Sequence, residues 1–364
     1  MQIVRKFIWA IILAAFAAAL GLWNFLLLLA LFVLVIVVFF VFIEISERRR
    51  IKALASRPAY CEFASFIPVG QILTVTSQGV IERYAIEHWT RLDHIDCLPV
   101  DASLHALSAD GCWLAWAIEG NDGESSVSLA EIKTGNRVCT IEHDGLLSSV
   151  LISPSGALFG LRNHLNGVHL WDGKTGEPVP LFSNAGSQAA DYTFAEFIVF
   201  SPDGRFLAGG EEDTVYIWDL EGKDLAQVLG GHSHISALSY NLGGTLLAVA
   251  DDGSIHIWDA NSGEKLRVID GLHGVQHLIF SPDGRFLVGD GDEGILWIVD
   301  IGSGIRLADS SISHARFGCL SFSPDSQQIL ALSMEARLYR WLLDGDGRFR
   351  STEILTENAW ASVG

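Results

Sequence analysis

Chemistry needs particular side chains at particular separations, and the 364-residue chain offers few such sets. Acid–base work by two carboxylates needs them about 5–9.5 Å apart. The candidates are Glu62 and Glu196, each five residues before a recurring tight-turn tetrad. Ser103, Ser148, Ser236, Gln276 and Gly318 share that offset, so the set is polar or small throughout. The acidic runs Asp290-Gly291-Asp292-Glu293-Gly294 and Asp344-Gly345-Asp346-Gly347 lack the third oxygen ligand of a calcium loop and read as solvated turns. Five cysteines, an odd count without a CxxC pair, speak against a disulfide framework or a zinc site. The twelve histidines show no ligand spacing, and there is no nucleophile elbow, phosphate loop, kinase motif or HExxH. This reading assigns no catalytic residue, no metal ligand and no cofactor.

Charge and hydropathy divide the chain in two. From Phe7 to Ile43, only Gly21 and Asn24 fall outside the apolar set. As one helix this stretch would run about 55 Å, against a hydrocarbon core of about 30 Å. The break at Gly21–Asn24 therefore predicts a hairpin of two transmembrane helices, 7–22 and 25–43, with Trp23 at the interface. Arg5 and Lys6 precede the hairpin; Arg48, Arg49, Arg50, Lys52 and Arg57 follow it. The positive-inside rule places both clusters, the short N-terminus 1–6 and all that follows on the cytosolic side of the cell's cytoplasmic (inner) membrane. The basic linker, 44–58, offers contacts to lipid headgroups through residues 48–57. Residues 1–57 carry a net charge of +5, and the remainder carries −24. A surface that acidic repels phosphate backbones, which argues against nucleic acid as a partner.

The acidic part repeats. Ser201-Pro202-Asp203-Gly204 and Ser281-Pro282-Asp283-Gly284 are full copies of a tetrad, and weaker copies begin at residues 67, 108, 153, 241 and 323. Successive intervals are 41, 45, 48, 40, 40 and 42 residues, a propeller period. Proline at the second position presets φ, and glycine at the fourth suits a type I turn, so each tetrad closes a hairpin. Seventeen or eighteen residues after a tetrad begins comes a second mark, Trp218-Asp219 in one unit; Trp258-Asp259 and Trp171-Asp172 repeat it, Trp341 keeps the tryptophan alone, and Val299 replaces it before Asp300.

On these residues the chain resembles the WD40-repeat family over residues 59–355, with a C-terminal tail at 356–364. The resemblance implies an all-β seven-bladed WD40-like β-propeller, here preceded by the N-terminal transmembrane α-helical hairpin. It also implies that the Gly-His mark at Gly231-His232 packs by hydrogen bonding with a turn aspartate, assigned to Asp252, and with Trp258. The final unit has its own outer strand, 349–355, so closure without strand exchange is expected.

In such a ring the residues five before each tetrad (Glu62, Ser103, Ser148, Glu196, Ser236, Gln276) line one mouth of a water-lined channel. A ligand or metal held there by Glu62 and Glu196 is the sharper alternative. The longest units owe their length to insertions at 119–126 and 182–195, which leave on one face. Loops on a rigid scaffold often carry binding, so Asp122, Glu124, Asp191, Tyr192 and Phe194 are candidate partner contacts. WD40-like rings commonly present protein-binding surfaces. The expectation is thus a non-enzymatic, membrane-tethered scaffold for protein partners; a sensor or enzyme using the channel mouth is the alternative.

Overall fold

In a computed structural model, the described residues lie within 61–355, excluding 68–70, 77–79, 86–89, 97–102, 109–110, 120–123, 146, 164–166, 181–196, 292–294, 312–315, 334–336 and 344–348. The expected membrane hairpin and basic linker lie outside them. Among the described residues no helix is long and apolar enough to cross a membrane.

The described residues form seven four-stranded sheets. Every sheet is an antiparallel meander, and the blades span 61–96, 103–144, 147–179, 197–229, 237–270, 278–311 and 317–355. The tetrads make the hairpins between inner and second strands. In blade 4, Ser201 Oγ accepts the Phe206 N–H at 2.9 Å and donates to Asp203 Oδ1. Asp203 Oδ1 in turn accepts the Arg205 N–H at 3.0 Å. The same hydroxyl bridge recurs at Ser108, Ser153, Ser281 and Ser323, all buried, and Asn241 replaces it with its amide oxygen. A buried polar atom kept on an obligatory backbone donor explains why the tetrad begins with serine.

The Trp-Asp mark divides its labour. Trp218 and Trp341 are fully buried and Trp258 nearly so. The aspartates turn the chain into the outer strand: Asp259 Oδ1 accepts the N–H groups of Asn261 and Ser262 at 3.0 and 2.8 Å. Asp172, Asp219 and Asp300 do the same in their blades. Backbone donors hold the Asp172, Asp259 and Asp300 carboxyls below the usual range, while at Asp219 the Arg205 guanidinium comes first.

A blade cannot bury both of its faces alone, and the apolar clusters show how the ring solves this. Seven clusters sit at the seven blade boundaries. Tryptophans of the repeat mark pack against the preceding blade: Trp258 lies with Val215 and Ile217 of blade 4, and Trp218 with Val168 and Leu170 of blade 3. In blade 6, Val299 holds that position, and Trp297, two residues earlier, shares its face. The ring closes where Phe66, Ile72 and Tyr84 of blade 1 meet Leu330, Leu332 and Leu338 of blade 7. There the Phe66 N–H donates to Ser321 Oγ at 3.0 Å and Cys319 Sγ donates to the Ala64 carbonyl at 3.2 Å. Each blade keeps its own four strands, so closure uses side-by-side packing and no strand exchange.

Candidate functional site

The inner strands wall a central channel. On the tight-turn side it holds a cavity of about 530 Å³ walled largely by apolar side chains, among them Phe66, Leu107, Ile152, Phe200 and Phe280. Ser65, Ser108 and Ser239 stand among these apolar residues in the same wall. The rim is built from the second tetrad position. Pro154, Pro202 and Pro282 stand there, and blade 5 contributes Leu242, which at 62% is the most exposed large apolar side chain among the described residues. Tyr240 stands in the same wall; its buried hydroxyl has no partner among the described residues, and burial pushes its pKa up.

The other end, a cavity of about 360 Å³, is lined in part by Ser149, Arg162, Gln276 and His277. Arg162 Nε donates to Ser149 Oγ at 3.4 Å, and His277 Nδ1 lies 2.9 Å from Asp290 Oδ2. Of the expected channel-mouth ring, Gln276 lines this cavity. Ser148 instead donates its hydroxyl to the Arg162 carbonyl at 3.0 Å, and the Ser236 hydroxyl is buried without a partner among the described residues. Glu62 and Ser103 belong to the inner strands of blades 1 and 2, but their side chains, like all of Glu196, lie outside the described residues. The expected pairing of Glu62 with Glu196 thus falls outside the described residues. Of the candidate loop contacts, Glu124 begins the third strand of blade 2 and is exposed; Asp122, Asp191, Tyr192 and Phe194 lie outside the described residues.

On that same face, connections between blades 4 and 5 gather a buried polar cluster. The Ile235 N–H donates to the Glu212 carbonyl at 2.7 Å and the His232 N–H to Asp213 at 3.3 Å, which ties the 230–236 loop to blade 4. The loop thereby places His232 over Trp258, with ring centroids 5.6 Å apart, and beside His256 at 4.6 Å. The acid that completes the cluster is Asp251, not Asp252: Asp251 is buried and Asp252 exposed. Blade 5 turns tightly here, the Asp251 N–H donating to the Ser254 carbonyl at 2.9 Å, and this sets the acid one residue earlier than the repeat pattern indicates.

Asp251 Oδ2 accepts the Ser233 N–H at 3.2 Å and lies 2.9 Å from His256 Nε2, while His232 Nδ1 stays 3.9 Å away. Both ring nitrogens of His232, the second nitrogen of His256 and the Trp258 indole nitrogen are buried without partners among the described residues. The hydrogen bond that the family resemblance implies for His232 is thus absent, because His256 has taken its acceptor. Each such bare buried group costs about 1–3 kcal/mol. Burial pushes the His232 pKa down to about 4, aided by His256, so its imidazole is neutral near pH 7. Burial alone would raise Asp251, but the Ser233 N–H and the His256 ring hold it below the usual carboxylate range. Sequence reasoning missed His256. Its signal is a histidine two residues before the repeat tryptophan, found also at His169 before Trp171.

The fold and its channel define a seven-bladed β-propeller. Two stretches of the chain, residues 195–219 and 223–259, match the family described as "WD domain, G-beta repeat"; they cover blade 4 and the first three strands of blade 5. The WD repeat-containing protein WDS homolog of Arabidopsis thaliana is 30% identical over 131 residues, covering 33% of this chain and 24% of the relative. The small ribosomal subunit protein RACK1z of Oryza sativa subsp. japonica is 33% identical over 93 residues, covering 25% of each chain. The chain thus spans about a quarter of the length of these curated relatives. The crystal structure of the Cps50 (Swd1) β-propeller domain from Myceliophteria thermophila superposes with a TM-score of 0.64 at 17% identity, covering 78% of this chain and 97% of that one. At that identity the likeness shows the fold alone.

Proposed function

We propose that the chain is a non-enzymatic scaffold, tethered to the cytoplasmic membrane by residues 7–43 and facing the cytosol, that docks protein partners on its propeller. The observation that carries this reading is Leu242, 62% exposed amid the proline rim of an apolar channel mouth. An isolated exposed leucine is ordinary, but one set at the entrance to an apolar cavity is a socket for an apolar anchor residue. The net −24 beyond residue 57 suits an anchor flanked by lysine or arginine. Two relatives support the reading by name, one as a WD repeat-containing protein and one as a component of the small ribosomal subunit. The tether rests on the apolar run and its flanking basic clusters.

The test is affinity capture of the full chain from its native membrane. Leu242→Asp is expected to remove the docked partner while leaving the melting temperature unchanged, because the side chain is already in water. Removing residues 1–57 should move the protein from the membrane to the soluble fraction. Partner recovery unaffected by Leu242→Asp would place docking elsewhere, with deletion of 182–195 as the next discriminator.

A further inference from the structure

We propose that His232, Asp251 and His256 form a zinc-binding site that clips the 230–236 loop to blade 5. All three side chains are buried, and their donor atoms lie within 4.8 Å of one another. Zinc bonds of about 2.0–2.2 Å set neighbouring tetrahedral ligands about 3.4 Å apart. The observed separations from Asp251 Oδ2, 2.9 Å to His256 Nε2 and 3.9 Å to His232 Nδ1, lie on either side of that value. Opening one and closing the other by about half an ångström sets both histidines at that spacing from Asp251, and drawing the two histidine donors, now within 4.8 Å, to the same spacing completes a three-ligand site with its fourth position free for water.

A second, independent observation points the same way. The His232 side chain is fully buried with both ring nitrogens unpartnered among the described residues. Two imidazoles compete for one carboxylate, and hydrogen bonds alone leave a lone pair bare; a cation takes up that lone pair. Two nitrogens and one carboxylate suit zinc, whereas calcium and magnesium need shells of six or more oxygens. Lys265 caps Trp258, its Nζ lying 4.7 Å from the ring centroid, and Asp213 lies on the blade 4 side. Blade 3 provides an internal contrast. His143 and His169 stand together at 5.4 Å over Trp171, but no carboxylate is hydrogen-bonded to either ring among the described residues.

The experiment uses the full chain in detergent, stripped with a chelator and dialysed against zinc. The expected result is one zinc per chain, a raised Tm, and, with cobalt in place of zinc, the intense visible absorption of a four-coordinate ion. His256→Leu and His232→Leu are expected to weaken binding at least tenfold and abolish the cobalt spectrum, with unchanged circular dichroism. His169→Leu should leave both intact. No uptake by the unmodified chain, or uptake that survives both the His232 and His256 substitutions, overturns the proposal. Should either leucine variant fail to fold, the stoichiometry and cobalt spectrum of the unmodified chain decide alone.

Discussion

At the scale of single residues, the blade 5–6 boundary shows how one substitution constrains another. Blade 6 has Val299 where its neighbours have the repeat tryptophan, yet that boundary is not hollow. Trp297 fills it from two positions earlier, on the same face of the strand, and is 1% exposed. Its cross-strand partner is Gly289. A Cβ on Gly289 would meet Trp297 Cη2 at 2.3 Å, so glycine is required here by close approach and not by φ. Gly289→Ala is therefore expected to cost about 1–3 kcal/mol through overpacking. Trp297→Leu, made in the Gly289→Ala background, should recover part of that loss. A urea-melt cycle of the two single variants and the double checks this: purely additive effects would show that the ring and the glycine are not coupled.

At the scale of elements, the turns carry a pH signature. Asp172, Asp219, Asp259 and Asp300 each accept backbone N–H groups at the end of a third strand. Their folded pKa values lie below the unfolded value of 3.8. The unfolded chain thus binds protons first as pH falls, so this stabilisation is full above 3.8 and is lost on acidification through and below it. Asp259→Asn should lower the urea midpoint at neutral pH and flatten its decline between about pH 5 and pH 3. An acid limb as steep as the unmodified protein's would remove the turn carboxylate from the account. These same turns made the fold readable. A serine hydroxyl on a backbone N–H and an aspartate on the next turn are local devices, so most blades repeat one or both at nearly fixed spacing. The cluster around His232 was not readable, because it depends on a turn that moves the acid from Asp252 to Asp251 and on a histidine at a strand position that Tyr216 and Trp297 fill in other blades.

At the scale of the whole molecule, one boundary differs in kind from the other six. Between consecutive blades the chain itself runs from outer strand to inner strand, and this holds the two faces at high effective concentration. Between blades 7 and 1 no such link exists. That boundary rests on the cluster around Phe66 and Leu330, on the Phe66 N–H to Ser321 Oγ bond, and on Cys319 against the Ala64 carbonyl. A ring opens first where reclosure is least assisted, so local opening is expected at this seam. Phe66 and Phe200 are comparably buried, at 7% and 8%, on the inner strands of blades 1 and 4. Replacing either by alanine should cost about 3–5 kcal/mol. The two losses should nevertheless look different in native-state hydrogen exchange. Phe66→Ala should release the amides of 61–67 and 317–322 ahead of the rest, while Phe200→Ala lowers protection across all blades together. Equal and uniform loss in both variants would mean that the seam is as firmly joined as any linked boundary, and that side-chain packing alone, without chain connectivity, sets the cohesion of the ring.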